Sequence, residues 1–143
     1  MPITNFDHYT IRARDIDASA RFYQDVMGFR VETLTSFEFP FRLLFLGDHA
    51  LVHLLGAGEE LNAFLARSAP SYESGVERGT GNMEHVAFNA TGFKDFLARI
   101  MAANIHFEQR TLADYGVVQL LFSDLDGVEI EVNFPLGELQ SWD

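Results

Sequence analysis

The sequence contains no cysteine among its 143 residues. It can therefore form neither a disulfide framework nor a thiolate metal site, which leaves His, Asp and Glu as metal ligands. Basic residues are also scarce: 10 Lys and Arg stand against 21 Asp and Glu, for a formal net charge of −11. Because neutralising phosphates needs clustered Lys and Arg, and here they are scattered singly, we do not expect a nucleic-acid partner.

Long hydrophobic runs are absent as well. No apolar stretch approaches the roughly 18 residues that a membrane span requires, and the first ten residues, MPITNFDHYT, lack the basic and apolar regions of a signal peptide. We therefore expect a cytoplasmic protein without a membrane partner. Hydrophobic residues still make up 48% of the chain, and Phe occurs 14 times. That composition is enough for the core of one domain covering 1–143.

Two parts of the sequence resemble each other at an offset of 77 residues. LLF at 43–45 recurs at 120–122, and the histidine of DHYTIRA (His8) recurs in EHVAFNA (His85). The turn DLDG at 124–127 is interpreted as one residue longer than its counterpart, so that His53 corresponds to Glu131 at an offset of 78. Self-similarity of this kind predicts a duplicated supersecondary unit.

Within each copy, the pattern of apolar residues predicts one strand, one helix and three further strands. The first helix begins after Asp15 or Asp17, either of which has the side chain of an N-cap, and Gly28 and Asn104 stand where left-handed C-caps are typical. The helix of the second copy has an apolar stripe at helical spacing, formed by Phe93, Phe96, Leu97, Ile100 and Met101. The strands are expected at 6–11, 29–36, 41–46 and 50–55, and again at 84–89, 105–111, 116–122 and 128–134.

The predicted fold class is therefore α+β, with two tandem βαβββ modules. The first module covers about 5–55 and the second about 83–135. A linker at 56–82, rich in Gly, Ser and Glu, joins them and carries a short helix at 59–66.

Four polar residues fall at equivalent positions of the two copies. His8 and His85 belong to the first strands, and His53 and Glu131 to the last. A pseudo-twofold relation between the copies would bring them to one point, which predicts a metal site suited to Fe, Mn, Co, Ni or Zn rather than Ca or Mg. The alternative for each residue is a packed histidine or a solvent-facing glutamate. We assign only such structural roles to two further histidines, His49 and His106.

Candidate substrate contacts are fewer and less distinctive. Phe37, Phe39 and Phe41 share one strand face, either as the wall of an aromatic pocket or as part of the core, and the core is the commoner role of such a stripe. Polar residues near the second copy's hairpins are further candidates. The substrate-contacting residues we consider are Phe41, Arg110, Tyr115 and Gln119.

Three motifs, DHYTIRARDIDASARFYQDVMGF (7–29), HVAF (85–88) and DLDGVEIEVNF (124–134), resemble the vicinal oxygen chelate superfamily. This superfamily includes glyoxalases, bleomycin resistance proteins and extradiol dioxygenases. The resemblance implies that the two modules form an open eight-stranded mixed barrel, with helices outside, around a divalent transition metal. The implied ion is Fe²⁺ first, with Mn²⁺, Ni²⁺, Co²⁺ or Zn²⁺ as alternatives. It also implies His8, His85 and Glu131 as ligands, a small-molecule substrate chelated through adjacent oxygens, and a homodimer.

The resemblance leaves three functions open, which differ in the role of His53. In an extradiol-type dioxygenase, the favoured interpretation, His53 is an acid–base catalyst, and His53 and Glu131 are the catalytic residues; Leu121, however, stands where those enzymes commonly carry tyrosine. In a glyoxalase-like lyase or isomerase of the lactoylglutathione lyase type, His53 is a fourth metal ligand. In a non-catalytic drug-binding relative, no metal is bound.

Overall fold

The structure, a computed structural model, describes residues 5–68 and 83–142. The chain forms two compact units, Met1–Glu77 (unit 1) and Arg78–Asp143 (unit 2). Each contains one four-stranded mixed sheet, and the order of elements in each begins with β-α-β-β-β. This confirms the α+β class and the two modules. In the described parts of the chain, no helix is long and apolar enough to cross a membrane.

Unit 1 has strand order β1-β4-β3-β2, in which β1 runs parallel to β4 and the other neighbours are antiparallel. The Asp15 side chain caps helix α1 by accepting a 3.0 Å hydrogen bond from the Ala18 backbone N–H, which confirms one of the two expected caps. Gly28 has φ 78, as expected of a left-handed C-cap. The elements are β1 Tyr9–Ala13, α1 Ile16–Asp25, β2 Arg30–Leu34, β3 Phe41–Leu46, β4 His49–Gly56 and α2 Glu59–Ser68.

Unit 2 repeats this arrangement with strand order β5-β8-β7-β6. Helix α3 follows Gly92, which has no side chain for capping; instead the Glu138 carboxylate accepts hydrogen bonds from the Gly92 and Phe93 backbone N–H groups, at 2.9 and 2.8 Å. Asn104 has φ 56, which confirms the second expected C-cap. The elements are β5 Val86–Asn89, α3 Phe93–Ala102, β6 Phe107–Leu112, β7 Val117–Ser123 and β8 Glu129–Pro135, with 3₁₀ turns at Ala113–Tyr115 and Leu136–Trp142.

Each sheet has a core-facing side and a second side, called here the front face, that carries His53 in unit 1 and Glu131 in unit 2. On the core side of unit 2, Phe93 and Phe96 of α3 meet Phe134 with ring centroids 5.3 and 5.5 Å apart. Met101, which we expected in the same stripe, is 63% exposed. Eight residues after Phe93 it is rotated by about 80° around a helix of 3.6 residues per turn, so it leaves the buried side.

Helix α2 covers part of the front face of unit 1. Its Leu61 is fully buried and packs with Phe39 and Phe41, and Phe64 joins them. The helix confirms the short one expected at 59–66; the rest of the expected linker, 69–82, lies outside the described residues. We call Phe37, Phe39, Phe41, Leu61 and Phe64 the aromatic cluster. Phe39 and Phe41 are therefore core residues, whereas Phe37 is 40% exposed.

The expected starts of the first strands were wrong by two or three residues. The strands begin at Tyr9 and Val86, so His8 and His85 each lie immediately before a strand. In unit 1 the backbone carbonyl of Asp7 accepts a hydrogen bond from His49 Nε2. This side-chain contact takes up an acceptor that a longer strand would use in the sheet.

The expected correspondence of the two hairpins was also wrong by one residue. Leu43 is the register partner of His53, and Leu121 is the register partner of Glu131. Leu43 therefore corresponds to Leu121 at an offset of 78, not to the first leucine of the repeated LLF. Unit 2 therefore gains its one additional residue before β7 and not at the turn 124–127. The turn of unit 1 is shorter, but the β-bulge at Leu44/Phe45 makes up the difference, so the two hairpins have the same length.

Candidate functional site

Unit 1 places two of the predicted site residues in direct contact. His8 lies just before β1, and His53 projects from the adjacent strand β4, where its register partner is Thr10. The imidazole rings stack with centroids 3.6 Å apart and planes inclined by 7°. A ring nitrogen's lone pair lies in its ring plane, and two parallel planes do not meet at one atom. In this arrangement only one of the two imidazoles can bind a given metal ion.

Asp7 holds the His8 ring. The Nδ1–H of His8 donates to the Asp7 carboxylate at 2.5 Å. This hydrogen bond keeps the pKa of Asp7 below its usual value, and it leaves His8 Nε2 as the nitrogen with a lone pair in the neutral ring. Metal-binding histidines commonly donate their other N–H to a carboxylate in this way. Nε2 is therefore the His8 nitrogen whose lone pair is suited to a metal ion.

His53 is partly buried in the sheet of unit 1. Burial lowers its pKa, and the charge of the neighbouring His8 lowers it further. Phe41 of the aromatic cluster also lies beside His53, with ring centroids 5.6 Å apart and planes inclined by 55°. A neutral imidazole at neutral pH has a free lone pair, which can bind a metal or accept a proton.

Unit 2 brings the other two predicted residues together. Glu131 projects from the central strand β8 and is only 8% exposed. Its Oε1 lies 3.6 Å from His85 Nε2 and 3.7 Å from Arg110 Nη2. Burying a carboxylate without polar partners is costly, and these two side chains lie close enough to offset part of that cost.

A line of hydrogen bonds crosses the front face of unit 2. Arg110 Nε donates to Gln119 Oε1 at 2.7 Å, Gln119 Nε2 donates to Asn133 Oδ1 at 2.8 Å, and Asn133 Nδ2 donates to Glu131 Oε2 at 3.1 Å. Together with the Arg110–Glu131 ion pair, these contacts close a circle, which we call the polar ring. Asn133 was not among the residues predicted from sequence, although it shares Glu131's strand face two positions on.

The donors suit a divalent transition metal, although they occur in pairs. Within residues 5–68 and 83–142, no three His, Asp or Glu side chains form a group that could hold one ion. The His85–Glu131 separation of 3.6 Å is shorter than two metal–ligand bonds of about 2.0–2.2 Å each. One ion can therefore contact both atoms, and imidazole with carboxylate is a donor set for Fe, Mn, Co, Ni or Zn.

The remaining predicted residues have different surroundings. Tyr115 lies in the turn after β6 and is 79% exposed. His49, assigned a structural role, contacts the Asp7 backbone; His106, assigned the same, has a side chain 91% exposed and lies 3.6 Å from Glu108. Arg110 belongs both to the polar ring and to an open groove of about 780 Å³ in unit 2, whose lining also includes Leu121, Ser123, Leu125 and Glu129.

Comparison with known proteins identifies one family. Residues 5–132 match the sequence model of the Glyoxalase/Bleomycin resistance protein/Dioxygenase superfamily, which confirms the resemblance drawn from the motifs. No curated protein matches the chain significantly.

Solved structures share the fold along almost the whole chain. A glyoxylase/bleomycin resistance protein/dioxygenase domain from Frankia sp. EAN1pec is 16% identical over 93% of both chains, with a TM-score of 0.69. Lactoylglutathione lyase from Agrobacterium tumefaciens is 19% identical over 99% of this chain and 100% of its own, with a TM-score of 0.63. A mutant of the fosfomycin resistance protein FosX from Listeria monocytogenes, in complex with Mn(II) and 1S,2S-dihydroxypropylphosphonic acid, is 15% identical over 97% of each chain, with a TM-score of 0.64.

Proposed function

Because the chain belongs to the Glyoxalase/Bleomycin resistance protein/Dioxygenase superfamily, we propose that it is a metal-dependent enzyme for a small molecule with two adjacent oxygen atoms. His8, His85 and Glu131 are the proposed ligands, as the family resemblance implies. The observation that carries the proposal is the buried Glu131 carboxylate, held 3.6 Å from His85 Nε2. Burying a carboxylate costs folding free energy, so its presence on this sheet face is more readily explained by a functional role than by a contribution to stability.

The proposed ion is a divalent transition metal. Bound to these ligands it would act as a Lewis acid and stabilise negative charge on the substrate's oxygens. The Mn(II) complex of FosX makes Mn²⁺ the first ion to test, beside the Fe²⁺ that the resemblance favours. The three ligands contribute one negative charge, from Glu131, which partly offsets the charge of the ion.

His53 is the proposed acid–base residue. Its stacking on His8 keeps its lone pair out of the plane of the His8 ring, which favours a site with three protein ligands over one with four. Burial lowers the pKa of His53, which favours the neutral form that accepts a proton. In the proposed reaction His53 removes a proton from the bound substrate and returns it at a neighbouring atom, as in a lyase or isomerase.

An extradiol dioxygenase is the second candidate. One observation favours it: the stacking on His8 disfavours His53 as a metal ligand, and in a dioxygenase His53 would be an acid–base catalyst and not a ligand. In the comparisons, dioxygenase occurs only within the joint family and domain descriptions, whereas a lactoylglutathione lyase and fosfomycin resistance proteins are named individually. Leu121 also replaces the tyrosine that dioxygenases commonly carry, so proton-transfer chemistry is placed first.

Metal titration tests the proposal directly. Protein dialysed against a chelator is titrated with Mn²⁺, Fe²⁺, Co²⁺, Ni²⁺ and Zn²⁺, and we expect uptake of one ion per chain. His85→Gln should weaken binding by more than about 100-fold, since loss of a ligand exceeds the 10–100-fold effect of losing an outer partner. His106→Gln, an exposed histidine of the same unit, is the matched control and should bind as the wild type does.

Substrate assays then separate the candidate reactions. The loaded protein is offered a glutathione hemithioacetal, an epoxide phosphonate and a catechol, each with and without O₂. Turnover that persists without O₂ excludes the dioxygenase. If the wild-type chain takes up none of the five metals, the proposal is overturned and the non-catalytic drug-binding function replaces it.

A further inference from the structure

The two oxygens of Glu131 have different partners. Oε2 accepts a hydrogen bond from the Asn133 side-chain amide at 3.1 Å. Oε1 is farther from its two neighbours, at 3.6 Å from His85 Nε2 and 3.7 Å from Arg110 Nη2. The side chain is thus held by one oxygen while the other faces the histidine.

The hydrogen bond to Oε2 is the last of a chain that begins at the guanidinium of Arg110. Arg110 pairs in register with Gln119 across β6 and β7, and Gln119 pairs with Asn133 across β7 and β8. These two hydrogen bonds therefore join side chains that the sheet already places opposite each other, and the third joins Asn133 to Glu131 two positions away on the same strand. Gln119 is 5% exposed and Glu131 is 8% exposed, so a broken link would leave a buried polar group without its partner.

The direction of these hydrogen bonds is fixed by chemistry. A guanidinium can only donate, and an ionised carboxylate can only accept. Both amides between them must therefore turn their oxygens towards Arg110 and their NH₂ groups towards Glu131, and the structure has both in that orientation. Reversing either amide would set two acceptors or two donors against each other.

We propose that Asn133 and Gln119 are positioning residues that occupy Oε2 of Glu131 and so make Glu131 a single-oxygen metal ligand through Oε1. Arg110 anchors the far end of the ring. This inference rests on the proposed function. Gln119 was expected to contact the substrate. Its amide is instead hydrogen-bonded to Arg110 and Asn133, so its proposed role is to position the metal ligand Glu131.

Alanine substitutions along the ring test the inference. Asn133→Ala removes the side-chain amide that donates to Oε2 and is expected to weaken Mn²⁺ binding by about 10–100-fold, the usual effect of losing an outer partner of a ligand. Gln119→Ala, one link further away, should weaken it less. The matched control is Asn89→Ala: Asn89 is the register partner of Asn133 on β5 and is not part of the polar ring.

The coordination itself supplies a readout that a purely structural role would not change. The visible absorption of the Co²⁺-loaded protein responds to the number and arrangement of ligands. We expect Asn133→Ala to alter this spectrum, because the released Oε2 is free to approach the ion, while Asn89→Ala leaves it unchanged. Thermal unfolding of the metal-free variants checks that each is folded; if Asn133→Ala is not, Gln119→Ala decides by the same two measurements.

The outcomes separate this inference from the proposed function. If the wild type binds Mn²⁺ and Asn133→Ala binds it within about twofold with the same Co²⁺ spectrum, the positioning role is overturned and the proposed function stands. Equal weakening in Asn133→Ala and Asn89→Ala also overturns it, since the ring then has no special part. If the wild type binds neither ion, both fall together.

Discussion

The imidazole rings of His8 and His53 lie face to face, 3.6 Å apart and within 7° of parallel. Parallel rings cannot direct their in-plane lone pairs at one ion. Either one ring turns when metal binds, or only one of the two is a ligand. The Asp7 hydrogen bond on His8 favours His8 as that ligand.

Separate substitutions of the two histidines should therefore have different effects. We expect His8→Gln to weaken Mn²⁺ binding by more than about 100-fold, beyond the effect of losing an outer partner. His53→Gln should change Mn²⁺ affinity little but lower kcat by about 10²–10⁴-fold, the range for loss of an acid–base group. Calorimetric titration and steady-state rates measure the two effects. Equal losses of affinity in both variants would make His53 a fourth ligand.

Asp7 should matter for metal binding although its side chain is exposed. Asp7→Asn removes the charged acceptor that holds His8 Nδ1–H, and an Asn amide can present its NH₂ to the ring instead. We expect Mn²⁺ affinity to fall by about tenfold, the lower end of the range for such partners. Asp48→Asn removes the same charge from an exposed position of the same unit, in the turn before β4. If both variants lose affinity alike, the effect is one of net charge and not of ring orientation.

Phe41 should contribute to stability rather than to substrate binding. It is 8% exposed and packs with Phe39 and Leu61, so Phe41→Ala is expected to lower the free energy of unfolding by about 3–5 kcal/mol. Urea denaturation measures this change. Tyr115→Ala, at a position 79% exposed, should change it by less than about 0.5 kcal/mol. A stable Phe41→Ala variant with a raised KM would instead restore Phe41 as a substrate contact.

Gly56 should not tolerate a side chain. A Cβ at this position would lie 2.9 Å from Pro40 Cβ, and the Gly56 N–H donates to the Pro40 carbonyl at 2.8 Å, so neither backbone can move away freely. We expect Gly56→Ala to lower the free energy of unfolding by about 1–3 kcal/mol through overpacking. Gly137→Ala is the control, because nothing lies within 4 Å of a Cβ there. Equal denaturation midpoints for the two variants would contradict the prediction and show that Pro40 can shift to make room for the added methyl group.

Local chemistry made part of this fold predictable. Asp15, Gly28 and Asn104 were recognised because capping residues act within a few positions of themselves along the chain. The two modules were recognised because apolar spacing and self-similarity are properties of the sequence alone. These features need no knowledge of which strands become neighbours.

Other features depend on pairing between strands and were missed or misplaced. The repeated LLF suggested an offset of 77, but a bulge at Leu44/Phe45 and the register of Leu121 with Glu131 make it 78. The polar ring needs the positions of Arg110, Gln119 and Asn133 on three strands at once. Strand parity does place Asn133 on the face of Glu131, which is the one signal in the sequence that could have marked it.

The two units have diverged in what their front faces carry. The aromatic cluster of unit 1 and the polar ring of unit 2 have no residue in common, and each draws its members from within its own unit. Because no residue is shared, a substitution in the aromatic cluster can change the packing of unit 1 and leave every hydrogen-bonding member of the polar ring in unit 2 in place.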